Sequence, residues 1–217
     1  MSAHHQVVVI GAGYAGLMAA NRIAGSKLPA GRVRVTVVNP SAEFVERIRL
    51  HEFAAGSRDS ASLPLEGVLH RGAVAGTGTA VRIDPQERLV HLADGRPPLA
   101  YDVLLYAPGS TGGSAAAGTG GYSLRDLREA KRLRARLGEL APGATVSVVG
   151  GGLTGIEAAA EIAERHRHLR VRLVSRGRLG ADLSGAGRRH LLNRIKRLGI
   201  EVIEDVEVQR CSEHELV

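Results

Sequence analysis

The sequence predicts an α/β protein built from two successive units, each with its own parallel sheet, on three observations. A short apolar run, Val7 to Ile10, ends directly in a glycine turn and then gives way to helical periodicity. The same order of strand, glycine turn and helix returns over residues 144–164. Between the two repeats lies a stretch rich in Gly, Ala, Ser and Thr, residues 109–121, which reads as a linker.

Each element follows in order. Residues 7–10 read as a buried parallel strand, because an unbroken apolar run has both faces covered. From Ala15 the spacing of Leu17, Ala20 and Ala24 predicts a helix, which Gly25 and Pro29 end. Residues 33–38 supply the next strand, so the first unit opens with a right-handed βαβ crossover. Residues 43–57 are expected to be a helix with a loose end. Residues 79–92 read as two strands around the Asp84-Pro85 turn, and Asp94-Gly95 marks a further turn. Residues 101–110 form a strand ending in a loop. The basic stretch Arg125 to Arg136 carries Leu124, Leu127, Leu133, Leu137 and Leu140 near helical spacing, the mark of an amphipathic helix with a solvated face. In the second unit, residues 171–175 supply the second strand. Residues 187–198 are expected to be helical and 200–211 to be strand. The expected division is residues 1–120 and 121–217.

Composition narrows the function. The 217 residues include 44% hydrophobic and 24% charged residues, ordinary for a globular chain. Aromatics are only 3%, with no Trp, which argues against a single-stranded nucleic-acid platform. The charge of +7 suits phosphorylated ligands, and the basic residues lack interleaved rings, so nucleic acid is not the expected partner. One Cys allows neither an internal disulfide nor a cysteine-rich zinc site. The nine His residues lack carboxylate or Cys companions at ligand spacing, and no metal is expected. No apolar run approaches the ~18 residues of a membrane span. The expected location is the cytoplasm, or the inner face of the membrane as a peripheral protein.

The two turns carry the chemistry. Gly11, Gly13 and Gly16 stand in the spacing GxGxxG, with Tyr14 and Ala15 between the last two. The first glycine allows the sharp turn, the second lets backbone approach a pyrophosphate, and the third lets helix and strand pack closely. The helix N-terminus then offers N–H groups to the phosphates. Asn39, followed by Pro40, stands at the end of the second strand, where Asp or Glu usually meets a ribose; Asn can also accept and donate there, or it is a simple turn residue. The second turn has Gly150, Gly152 and Gly155, with Leu153 and Thr154 opening the next helix. Glu157, expected in that helix's first turn, either caps the helix or faces the nicotinamide side of the cleft. Ser175 and Arg176 end the second strand. A hydroxyl and a guanidinium suit a 2′-phosphate, which favours NADPH slightly over NADH; otherwise Arg176 is a surface residue.

With both turns in hand, the sequence resembles the two-dinucleotide flavoproteins, the FAD-dependent pyridine nucleotide oxidoreductases, and within them type II NADH dehydrogenase-like proteins. The likeness lies in VVVIGAGYAGLMAA, NPSAEFVERIRLHEFAAGS, YDVLLYAPGS and VSVVGGGLTGIEAAAEIAE. It implies tandem Rossmann-like folds in three layers, FAD on the first and NAD(P)H on the second. It implies that Val81 passes its backbone by the adenine, and that Ala107, Pro108 and Gly109 form the small-residue loop near the flavin. Glu157 matches an acidic position near the nicotinamide and is the one catalytic candidate.

The resemblance also implies departures. The disulfide-reductase pattern CxxxxC is absent, which points to electron transfer to a quinone or another small acceptor rather than to a disulfide. Members of the superfamily continue past the second fold and return to the first, whereas this sequence ends at Val217. The chain is thus expected to be C-terminally truncated, with an incomplete FAD fold, an exposed apolar sheet surface and weak flavin retention: either it is a fragment or shortened product of a longer oxidoreductase, or a partner subunit or a second copy in a homodimer completes it. The rival reading is a non-catalytic dinucleotide-binding fragment or sensor.

Overall fold

Alternation along the first strand sets the layers of the first unit. The structure, a computed structural model, describes residues 5–26, 32–110, 120–212 and 215–217. In β1 (His5–Ile10), Val7 and Val9 pack on one side and Val8 and Ile10 on the other. Successive strand residues point to opposite faces, so both faces are apolar and both must be covered. The glycine turn leads into α1 (Tyr14–Ala24), whose Leu17 and Ala20 join Val7 and Val9 in one core. β2 (Val33–Asn39) pairs parallel with β1, with Val35 beside Val7 and Val37 beside Val9.

After β3 (Glu43–Val45) the chain leaves this unit for Glu46–Ala61, which carries a 3-10 turn at Arg47–Arg49 and α2 (Leu50–Ala55). It returns in β4 (Ser62–Pro64), antiparallel to β3, and α3 (Leu65–Val68). β5 (Ala73–Thr77) follows, then a three-stranded antiparallel sheet of β6 (Ala80–Asp84), β7 (Leu89–Leu92) and β8 (Leu99–Ala100). β9 (Val103–Tyr106) closes the unit. The main sheet is parallel in the order β5-β2-β1-β9. Val90 and Leu92 cover Val8, Ile10 and Val38, so the antiparallel sheet is the third layer.

In the second unit, α4 (Leu127–Glu139), β10 (Thr145–Val149), α5 (Leu153–Arg165), β11 (Arg170–Val174), α6 (Gly185–Arg197) and β12 (Glu201–Ile203) follow in order. Asp126 caps α4 by accepting from the Glu129 N–H at 2.9 Å. The sheet is parallel, β10-β11-β12. Leu137, Ala159, Ile162, Val171, Leu173 and Ile195 form its core.

Three expectations need correction. Residues 43–57 are not one helix: Phe44 is buried in the first core as part of β3, and only Leu50–Ala55 is α-helical. Residues 46–61 belong with the second unit, unlike the expected division at 120/121. Leu50, Phe53, Ala54 and Ala55 are buried there; the Arg134 guanidinium lies 4.9 Å from the Phe53 ring centroid and donates to the Arg58 carbonyl at 2.7 Å. The strand expected over 200–211 stops at Ile203, and Asp205 just beyond it takes a left-handed φ of 57°, outside the extended region of regular strand. On the second sheet Thr145 and Ser147 neighbour Arg170 and Arg172, and Arg172 pairs with Glu201 at 2.9 Å. Of the expected linker, residues 111–119 lie outside the described residues.

Leu50 is 1% exposed. Leu50→Ala should therefore lower stability by about 2–5 kcal/mol, the range for emptying a buried leucine site. A urea midpoint left unchanged would show that residues 46–61 are not core.

Candidate functional site

At the first turn the backbone is packed so closely that two of the three glycines are dictated by the protein itself. Gly11 has φ +96°, and a Cβ built on it would lie 2.1 Å from the Ala107 carbonyl oxygen. A Cβ on Gly16 would lie 1.9 Å from the Gly11 carbonyl oxygen. Gly13 is different. It is the N-cap of α1 with φ −71° and ψ −177°, a conformation open to any residue, and a Cβ there would meet nothing within 4 Å. Among the described residues, nothing packs where a side chain at 13 would stand. Gly13, the N-cap of α1, has no side chain to cap the helix, and the first-turn N–H groups of a helix have no partner within it.

The expected residues of this site gather around the turn. Asn39 accepts from the Ala12 N–H at 3.1 Å and donates to the Ser41 carbonyl at 2.7 Å. Its amide thus ties the end of β2 to the turn and keeps one further N–H. Pro40 is exposed beside it. The Ala107 N–H donates to the Ile10 carbonyl at 2.8 Å, and Pro108 also lies against Gly11, so the loop after β9 stands beside the turn; Gly109 there has φ +75°. Tyr14 packs edge-on against Phe44, 5.0 Å between centroids, and Ala15 is exposed. Val81 is 62% exposed on β6.

The second turn repeats the plan. Gly150 has φ +123°, a Cβ on Gly155 would lie 1.9 Å from the Gly150 carbonyl oxygen, and a Cβ on Gly152 would meet nothing. The N-cap of α5, Gly152, makes no side-chain cap, and the first residues of the helix, Leu153 and Thr154, are exposed. Ser175, by contrast, is buried, and its hydroxyl packs on the Gly151 backbone. Arg176 is exposed and stands 3.7 Å from Glu207, an exposed pair of little strength. Glu157 is the fifth residue of α5, past the first turn where it was expected. Its carboxylate is 3.9 Å from Nδ1 of His51, a buried residue of α2.

Sequence reasoning missed the support behind this turn. Leu179, fully buried, donates its N–H to Glu204 Oε1 at 2.7 Å and accepts from Arg188 Nε at 2.9 Å. Arg188 and Glu204 pair at 2.9 and 3.2 Å. The Leu179 N–H holds the Glu204 carboxyl below the ordinary glutamate range against partial burial, and the hydrogen bond and charge of Arg188, then Arg178, add to it. No glycine or motif announces these residues; only the charge signs of Arg188 and Glu204 could have hinted at a pair. Among the described residues no group of three His, Cys, Asp or Glu is placed to hold a metal, and no helix is long and apolar enough to cross a membrane.

Two glycine turns of one geometry, each between a parallel strand and an uncapped helix, define the tandem Rossmann-like fold of FAD- and NAD-binding oxidoreductases. The chain belongs to the pyridine nucleotide-disulphide oxidoreductase family, whose model matches residues 5–216. It is 37% identical over 174 residues to an NADH dehydrogenase-like protein of Mycobacterium tuberculosis (strain CDC 1551 / Oshkosh), covering 74% of this chain and 42% of that protein. It is 26% identical over 177 residues to an NADH dehydrogenase-like protein of Bacillus subtilis (strain 168), covering 80% and 49%. Among solved structures, NDH2 from Plasmodium falciparum in complex with NADH superposes with a TM-score of 0.77 at 17% identity, covering 99% of this chain and 50% of that one. The chain spans about half the length of the curated relatives it matches.

The two kinds of glycine separate experimentally. Gly16→Ala forces a methyl into the Gly11 carbonyl and should unfold or strongly destabilise the first unit in a thermal melt. Gly13→Ala has room and should melt like the parent while losing dinucleotide affinity; a parent-like affinity would mean nothing approaches Gly13. For Glu204, the lowered folded value means its contribution is complete above the unfolded glutamate range and is lost as pH falls through the folded value. Glu204→Gln should therefore be less stable than the parent at neutral pH, with the gap closing in acid. A constant gap across pH would contradict this.

Proposed function

We propose that the chain holds FAD at the first turn and NAD(P)H at the second, and serves the oxidation of NAD(P)H with electrons passed to a quinone or another small acceptor. The observation that carries this reading is the pair Gly13 and Gly152, glycines that internal packing does not require, each in front of an uncapped helix. Two phosphate-accepting turns in one chain suit a reaction between two dinucleotides. Family membership supports the oxidoreductase class. With Cys211 the only cysteine in this sequence, no dithiol pair is available, which favours an acceptor other than a disulfide. A location in the cytoplasm, or against the inner face of the membrane, suits such a reaction.

The bound cofactors would supply the redox chemistry, hydride from the nicotinamide to the flavin. The chain's own residues bind and align. The N–H groups of Gly13, Tyr14, Ala15 and Gly16 receive the first pyrophosphate, and the remaining amide N–H of Asn39 reaches a ribose hydroxyl. The Val81 backbone borders the adenine, and the Ala107–Pro108–Gly109 loop, already set against Gly11, borders the flavin end. At the second turn Gly152, Leu153, Thr154 and Gly155 receive the other pyrophosphate. Glu157 stands towards the nicotinamide. Arg176, exposed in its pair with Glu207, turns to a 2′-phosphate and tips selectivity to NADPH; Ser175 supports the turn from behind.

Protein reconstituted with FAD should show a flavin absorption band that bleaches on anaerobic addition of NADPH. Arg176→Ala should weaken NADPH binding by about 1–3 kcal/mol, the range for a charge-assisted contact, and leave NADH nearly unchanged. Binding of both nucleotides without bleaching would favour a non-catalytic dinucleotide-binding protein. Failure to bind either FAD or NAD(P)H would refute the proposal. Equal losses of NADH and NADPH would remove Arg176 from selectivity.

A further inference from the structure

The two turns differ in what stands behind them. In the first, Ala12 fills the position between the first two glycines, is buried, and is tied by its N–H to Asn39. In the second, Gly151 takes that place and leaves the backbone without a side chain of its own to fix its depth. The space is filled from elsewhere: a Cβ on Gly151 would lie 2.2 Å from Ser175 Oγ and 2.6 Å from Leu179 Cδ2. The turn therefore rests on Ser175 and, beside it, on Leu179. Leu179 lies in the loop between β11 and α6, where a residue would normally be free to shift.

Leu179 does not shift freely, because its peptide groups are held on both sides. Glu204, one residue past β12, takes its N–H, and Arg188, in α6, donates to its carbonyl. One guanidinium nitrogen, Arg188 Nη2, reaches both Glu204 oxygens at 2.9 and 3.2 Å while Nε holds the Leu179 carbonyl, so one arginine ties the carboxylate and the leucine together. Both side chains are about three-quarters buried, at 23% and 27% exposure, so solvent screens the pair less than an exposed one. Three elements, the loop, α6 and the end of β12, thus converge on one leucine beneath one turn.

We propose that Arg188 and Glu204 are positioning residues for the second nucleotide site, holding Leu179 as a strut against Gly151 so that the turn's N–H groups keep their aim at a dinucleotide pyrophosphate. The inference rests on the reading of that turn as the NAD(P)H site. The pyrophosphate is common to NADH and NADPH, so the strut acts on both nucleotides alike, whereas Arg176 acts on the 2′-phosphate alone. It does not act on the first turn, which has its own tether in Asn39.

The test uses the full chain with Arg188→Lys and Glu204→Gln. Equilibrium titration should give dissociation constants for NADH and for NADPH raised by the same factor, on the order of tenfold for loss of one charged hydrogen-bond pair. FAD affinity should be unchanged, and hydrogen exchange at the Leu179 and Gly152 amides should be faster. If either variant fails to fold, Leu179→Met, which keeps the volume and changes the shape, should show the same paired loss. A parent-like affinity for both nucleotides in folded variants overturns the inference, as does a loss confined to NADPH or one shared equally with FAD. Failure of the parent protein itself to bind NADH and NADPH would instead remove the site on which the inference rests.

Discussion

A helix seated directly on the carbonyl of a strand end is the contact on which both units depend. In the first unit it is α1 at Gly16 on the carbonyl of Gly11, and in the second α5 at Gly155 on that of Gly150. Any side chain at the third glycine would separate helix from sheet, and the core between Val9 and Leu17, or the one around Ala159, could not close. The same contact brings the uncapped helix N-terminus to the end of the sheet. Close packing and the surface proposed to accept phosphate are thus one feature, not two.

The two units then diverge in how they stiffen that feature. The first uses hydrogen bonds from nearby chain: Asn39 to Ala12, and Ala107 to Ile10, with Ala107 packed on Gly11. The second uses packing, with Ser175 and Leu179 filling the space behind Gly151 and an ion pair holding Leu179 in place. The second unit also takes α2 from an excursion of residues 46–61, which places buried His51 beside Glu157.

Much of this was legible in the sequence because it is local. The apolar runs at Val7–Ile10 and around Val171, and the glycine spacings, specify strand, turn and helix within a few residues, and the structure has them there. The Asp84-Pro85 turn is local too: Asp84 accepts from the N–H groups of Gln86 and Glu87. What was not legible depends on distant partners. Phe44 and Phe53 look alike in a helical pattern, but one is buried in the first unit and the other in the second, and no period in the sequence records that switch. Just beyond the short β12 stands Asp205, whose left-handed backbone the alternating Val and Ile concealed. At the end of β11 Ser175 reads as a donor to a ligand, whereas its burial behind Gly151 depends on packing that no local pattern records.

The central claim, that each glycine turn receives its own dinucleotide pyrophosphate through backbone N–H groups, is tested most directly by backbone amide chemical shifts during titration with FAD and then with NADPH. The amides of Gly13 to Gly16 should move with FAD, and those of Gly152 to Gly155 with NADPH. Both nucleotides moving the same turn, or either moving neither turn, would contradict it.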